Sequence, residues 1–153
     1  YYNLGCNVPL YLHVDVRKDN ESCLVVWWYA STCRHLGIGG TSPNPAVVQA
    51  QQQAMRRYRQ IEAFYKRGEF YGLSEEIHLH VLPGEDAFVV NLFNLFDQTR
   101  TLSASCPLAR LGLNPKKPCR STSSWATVEN GQLRVTCSMP PWSAQVAEIR
   151  RGK

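Results

Sequence analysis

What the chain lacks narrows it first. None of its six cysteines stands in a Cys-x-x-Cys pair, which argues against a zinc ribbon or a thioredoxin-like redox site. No apolar run approaches the ~20 residues that cross a bilayer as a helix. The most apolar stretch, 24-LVVWWYA-30, is far too short, and no membrane partner is expected. There is no internal repeat and no low-complexity tract, which sets solenoids and flexible linkers aside. The start shows no secretory-leader pattern, and its first residue is Tyr1 rather than Met. The expectation is a processed or shortened product, or a piece of something longer.

Charge is also in short supply. The formal net charge is only +5 over 153 residues, and much of the excess is local. Arg56, Arg57, Arg59, Lys66 and Arg67 crowd one segment against Glu62 alone. No aromatic–basic interleaving accompanies them, so they read as the solvated face of a helix, and no nucleic-acid partner is expected. A hydrophobic fraction of 44% with 19% charged residues suits one ordinary globular domain, or a domain with an appendage. A chain of this length can build a core without staples. The six cysteines therefore allow either free thiols or three disulfides whose pairing stays open, with Cys106 and Cys119, which flank a Pro-rich loop, the pair to check first.

What is present begins with 9-PLYLHVDVR-17. Leu10, Leu12, Val14 and Val16 alternate with Tyr11, His13, Asp15 and Arg17. A strand has a side-chain period of two, so one face is aliphatic and the other carries a phenol, an imidazole, a carboxylate and a guanidinium. After the polar link 18-KDNES-22, the segment 23-CLVVWWYAS-31 reads as a second strand, apolar on both faces and buried. The glycines of 37-GIGG-40 read as a sharp turn.

A helix is expected over residues 45–67, with Asn44 as N-cap and Pro45 in its first turn. Val47, Ala50, Ala54, Tyr58, Ile61 and Tyr65 form one apolar stripe. Lys66 and Arg67 suit the negative end of the helix dipole, and Gly68 can end the helix. From about Ser74 onward the pattern is antiparallel β. Strands are expected at 76–82, 86–95, 99–105, 125–130, 132–139 and 143–150. Turns fall at 83-PGE-85, Asp97–Gln98, Asn130–Gly131 and Pro140–Pro141. This spacing implies a β-sandwich packed beside the helix. The fold class expected is α+β: an α/β segment over residues 1–73, then a sandwich over residues 74–153. Two strands and one helix cannot close a barrel, and unpaired strand edges at 9–31 would recruit other chains, so a homo-oligomer is possible.

The segment 78-HLHVLPGEDAFVVNLFNLFDQTRTLSAS-105 resembles the first hairpin of the β-sandwich that closes many glycoside hydrolases, α-galactosidase-like enzymes above all. The end, 140-PPWSAQVAEIR-150, is similar to the last strand of that module, and residues 9–68 are similar to the last strands and last helix of the (β/α)8 barrel before it. The resemblance implies a carbohydrate partner, no cofactor, and a pocket lined by barrel strands. Asp15 is then the candidate catalytic residue. Tyr11, His13, Arg17, Trp28, Arg34 and His35 are candidate substrate contacts, through charge-assisted hydrogen bonds to hydroxyls and aromatic packing on C–H faces. Hydrolysis needs a second carboxyl group roughly 5–10 Å from the first; Asp19, Glu21 and Glu75 are the candidates.

Two other readings compete. Gly72, His78, His80 and Glu85 follow the spacing of the first cupin motif, which implies a metal held by His78, His80 and Glu85. The glycine that motif places seven positions after the glutamate is Leu92 here, and no second motif follows. A non-catalytic carbohydrate-binding module would use Tyr71, Trp125 or Trp142 as surface aromatics.

Overall fold

The computed structural model describes residues 11–33, 35–82 and 84–152. The chain runs β1 (Tyr11–Asp15), α1 (Leu24–Thr32), β2 (His35–Gly39), α2 (Pro45–Arg67), then eight strands. These are β3 (Glu69–Ser74), β4 (Ile77–Leu82), β5 (Ala87–Asn94), β6 (Arg100–Pro107), β7 (Cys119–Ser121), β8 (Ala126–Glu129), β9 (Gln132–Met139) and β10 (Ser143–Arg151). Helix and sheet are mixed, with two α-helices and three sheets among the described residues, and no barrel closes among them.

β1 behaves as its alternation demands. Val14 and Val16 are buried while His13, Asp15 and Arg17 are exposed. It pairs in parallel with β2, Tyr11 opposite His35 and Asp15 opposite Gly39. A parallel pair needs a crossover, and α1 supplies it.

That helix corrects the expectation of a strand at 23–31. The segment is rich in β-branched and aromatic residues, but burial and capping outweigh that weak preference. Val26, Trp27, Ala30 and Ser31 fall on one buried helical face. The buried carboxylate of Asp19 accepts the backbone N–H groups of Val25 and Val26 at 3.0 and 3.3 Å, satisfying first-turn donors that an ordinary N-cap would serve. The true second strand is 35-HLGIG-39, where a turn was expected from its glycines.

α2 spans the expected residues, with Asn44 Oδ1 accepting the Ala46 N–H at 3.0 Å. Gly68 closes it. A β-carbon there would sit 2.1 Å from the Phe64 carbonyl oxygen of α2 and 3.1 Å from the Val81 carbonyl oxygen of β4, so only glycine fits between the helix end and that strand.

The sandwich is built as two antiparallel sheets. One has the order β3-β4-β5-β10-β7 and the other β6-β9-β8. β3 and β7 were not read from the sequence; both are edge strands with little buried surface. Asn130 and Gly131 have φ of 51° and 73°, the two positive values that a tight β8–β9 hairpin requires. Between the sheets lies one core that includes Leu79, Val90, Leu92, Leu133, Met139 and Ile149, all at 0% exposure. A second core lies on the other face of the five-stranded sheet, where Val89 and Phe93 meet Val26, Trp27, Ile61 and Phe64 of the helices. The five-stranded sheet is thus a middle layer, and every residue of β4 and β5 is buried. The five described cysteines are free thiols, in keeping with a core that needs no staples.

The helix-side face of β4 carries His78 and His80 into this interior. Ser31 Oγ lies 2.8 Å from His78 Nδ1 and 3.0 Å from His80 Nε2. His78 Nε2 donates to the Glu75 carbonyl at 2.9 Å, so its Nδ1 accepts from the Ser31 hydroxyl, whose oxygen in turn accepts from His80. Burial pushes the His78 imidazole down from 6.5 to about 4, against the raising effect of the Glu75 carbonyl. A group that folds neutral stabilises fully above pH 6.5 and loses that contribution as pH falls towards 4. Between pH 7 and pH 4, about 3 kcal/mol of unfolding free energy should be lost through this one group. Urea denaturation across that range checks it, with His78→Asn expected to show a flatter pH profile than the parent.

Candidate functional site

At the carboxyl end of β1, His13, Asp15 and Arg17 project from one face. With Gly39 and Gly40 at the end of β2 they line an open depression of about 330 Å³. Both strands run the same way, so their carboxyl ends meet there. The end of a parallel strand pair is where α/β folds place ligands, because the loops leave from that side.

Asp15 and Arg17 form a fork. Arg17 Nε and Nη2 donate to Asp15 Oδ2 at 2.8 and 2.5 Å, and the Arg17 backbone N–H donates to Oδ1 at 2.9 Å. These bonds hold the Asp15 carboxyl down from 3.8 to about 2. Asp15 is therefore a standing carboxylate, suited to accept hydroxyl hydrogen bonds or to face developing positive charge, and unsuited to donate a proton. Gly40 is packed against the fork: with φ at +83°, a β-carbon would lie 2.6 Å from Asp15 Oδ1 and 2.9 Å from Arg17 Cγ. Sequence reading took Gly40 for a turn residue and missed this contact; the signal was a glycine pair just past an apolar strand.

The other candidates scatter. Tyr11 and His35 are register partners across β1 and β2. Arg34 lies outside the described residues. Trp28 stands apart from the depression, on α1, with its ring 5.3 Å from His78 and 5.0 Å from Phe93. Asp19 is committed to capping α1 and is 8% exposed, which removes it as a second carboxyl group. Among the described residues, no other carboxylate lines the depression with Asp15.

The cupin-like trio does not converge. His78 and His80 point into the interior and share Ser31, whereas Glu85 sits on an exposed turn. Among the described residues no three His, Cys, Asp or Glu side chains are grouped to hold a metal. The spacing comes from strand alternation that places both imidazoles on the helix-facing side. Ser31, their shared partner, was invisible to a reading that made its segment a strand. Of the basic cluster on α2, Arg57 pairs with Glu148 at 3.0 Å and Lys66 with Glu62 at 2.9 Å.

No family model matches the sequence, and no curated protein matches it. Solved structures do match the fold. A GH36 α-galactosidase from Geobacillus stearothermophilus superposes with a TM-score of 0.61 at 12% identity, over 95% of this chain and 22% of the enzyme. An α-galactosidase from Mortierella vinacea gives 0.56 at 10% identity, over 88% of this chain and 38% of the enzyme. A GH27 β-L-arabinopyranosidase from Geobacillus stearothermophilus gives 0.55 at 12% identity, over 89% and 32%. The chain thus spans between about a fifth and two fifths of the length of these enzymes.

If Arg17 sets the charge state of Asp15, removing it should free the carboxyl. In Arg17→Met, the Asp15 carboxyl carbon, followed by NMR, should titrate well above the parent's midpoint near 2 and return towards 3.8. An unchanged midpoint would assign the shift to another group. The fold of this chain is similar, along nearly all its length, to part of the fold of α-galactosidase-like glycoside hydrolases.

Proposed function

We propose that the chain is a carbohydrate-handling part of a glycoside-hydrolase-like protein, with the depression at His13, Asp15 and Arg17 as a sugar contact. The observation that carries this reading is the parallel β1–β2 pair, whose carboxyl ends present a preformed carboxylate–guanidinium fork beside two glycines. The fork offers acceptors and donors in fixed positions, which suits vicinal hydroxyls. The likeness in fold to α-galactosidases and an arabinopyranosidase supports the same class of ligand.

Asp15 binds rather than donates protons in this reading. Its low proton affinity fits a charge-stabilising carboxylate, and hydrolysis calls for a second carboxyl group roughly 5–10 Å away. That group would come from residues outside those that line the depression. The chain by itself is therefore expected to bind galactose without hydrolysing a nitrophenyl α-galactoside. Titration calorimetry with galactose should show weak binding that drops roughly tenfold in Asp15→Asn, the worth of one charge-assisted hydrogen bond. Equal affinity in the parent, Asp15→Asn and His13→Ala would remove the depression from the reading. Measurable turnover by the parent would make it an enzyme in its own right.

The same architecture has a consequence for assembly. Among the described residues β1 and β2 pair only with each other, and open strand edges attract further chains. Light scattering should report self-association that rises with concentration; a monomer at every concentration would count against it.

A further inference from the structure

Two large apolar side chains are exposed among the described residues, Phe96 at 51% and Trp142 at 49%. Their backbones meet, although 46 positions separate them in sequence. The Trp142 backbone N–H donates to the Phe96 carbonyl at 3.0 Å. We propose that Phe96 and Trp142 form an aromatic platform on which a sugar ring of a larger glycan stacks.

The platform is held from beneath. Asn94 is fully buried, and its amide nitrogen shares its two hydrogens among the carbonyls of Gln98, Met139 and Pro140, at 2.7, 3.1 and 2.8 Å. Its Oδ1 accepts the Phe96 N–H at 3.1 Å. One side chain thus fastens the β5–β6 turn that carries Phe96 to the β9–β10 turn that carries Trp142. A third tie comes from Asn20, whose Nδ2 donates to the Trp142 carbonyl at 2.6 Å. Asn20 lies in the loop that leaves β1 just after the Asp15–Arg17 fork, so the platform sits against that loop.

Trp142 is also strained. Its φ is +48°, the left-handed region that bulky residues avoid and glycine enters freely. A tryptophan kept there is half exposed and belongs to neither hydrophobic core among the described residues. Such an outlier points to a use for the side chain rather than for the fold.

A sugar fits this surface better than a protein does. Two side chains offer an area near that of one or two pyranose rings, far below the ~800 Å² per partner of a stable protein interface. Polar groups surround them. Arg100 lies over the Phe96 ring at 4.2 Å and is ion-paired with Glu76. Asp97 and Gln98 follow Phe96 on the same exposed turn. Aromatic faces for C–H groups, ringed by donors and acceptors for hydroxyls, are what a pyranose requires. Rigid aromatics also lose little freedom on binding. Trp125 and Tyr71 are partly buried against the sandwich core, which leaves Trp142 as the surface aromatic of the three.

This proposal deepens the one above and rests on its carbohydrate reading, but not on Asp15. The test uses the whole chain and the galactosyl trisaccharide raffinose, with calorimetry and tryptophan fluorescence as readouts. Trp142→Gly should keep or raise the melting temperature, because glycine relieves the backbone, while weakening raffinose binding roughly tenfold, the worth of one aromatic stack. Phe96→Ala should weaken it similarly. Asp15→Asn separates the two sites: binding lost there but intact in Trp142→Gly overturns the platform and leaves the depression standing. Binding lost in Trp142→Gly but intact in Asp15→Asn supports the platform and removes the depression. Loss in both variants supports one glycan bridging the two. A parent chain that does not bind raffinose overturns the platform, as does a Trp142→Gly variant whose melting temperature falls sharply, which would make Trp142 a structural residue.

Discussion

Everything in this fold depends on the middle sheet being covered on both faces. β4 and β5 have no exposed residue, and a strand in that position loses all contact with water on either side. One face meets the three-stranded sheet through aliphatic side chains. The other meets α1 and α2. Neither cover is optional, because each hides about half of the apolar surface of the same strands, and an uncovered face of that size would be a large adhesive patch. The helices are therefore part of the sandwich's stability rather than an attachment to it.

The helix-side cover is not purely apolar. Ser31, His78, His80, Tyr65 and Asn91 form a buried polar layer, with Tyr65 donating to Asn91 at 2.8 Å and stacking on Tyr58 at 5.7 Å. Buried polar groups are tolerated when paired, and their directionality fixes how two layers slide against each other. Here the pairing runs from α1 and α2 to β4 and β5, so it locks both helices to the sheet. Among the described residues Asn91 Nδ2 has no hydrogen-bond partner, the one loose end in this layer.

Much of this was legible in the sequence, for reasons that differ by element. α2 announced itself because its signals agree: Asn44 before Pro45, a stripe at helical spacing, and basic residues ahead of a glycine. β1, β4, β5, β9 and β10 were readable from period two and from turn residues between them. α1 was not, because β-branched and aromatic residues pull a short segment towards a strand reading, and the capping Asp19 sits several residues upstream. The error propagated: with the strand misplaced, Ser31 could not be paired with His78, and Trp28 was assigned to a pocket it does not line. The Asp15–Arg17 fork was legible because it lies within one strand's alternation. Asn94 and Asn20 were not, since their partners are distant in sequence and no local pattern marks them.

The reach of Asn94 has a kinetic meaning. Two of its three carbonyl partners, Met139 and Pro140, lie 45 and 46 positions away, at the end of β9 and just past it. Closing a segment of that length is entropically costly and gains little until the intervening strands have paired. The two hydrogen bonds to Met139 and Pro140 are therefore among the last to form as the chain folds, and the two turns they join remain independent until then. A chain whose second sheet is mispaired by even one residue would present Phe96 and Trp142 apart, so the joined turns act as a mark of completed folding at the surface.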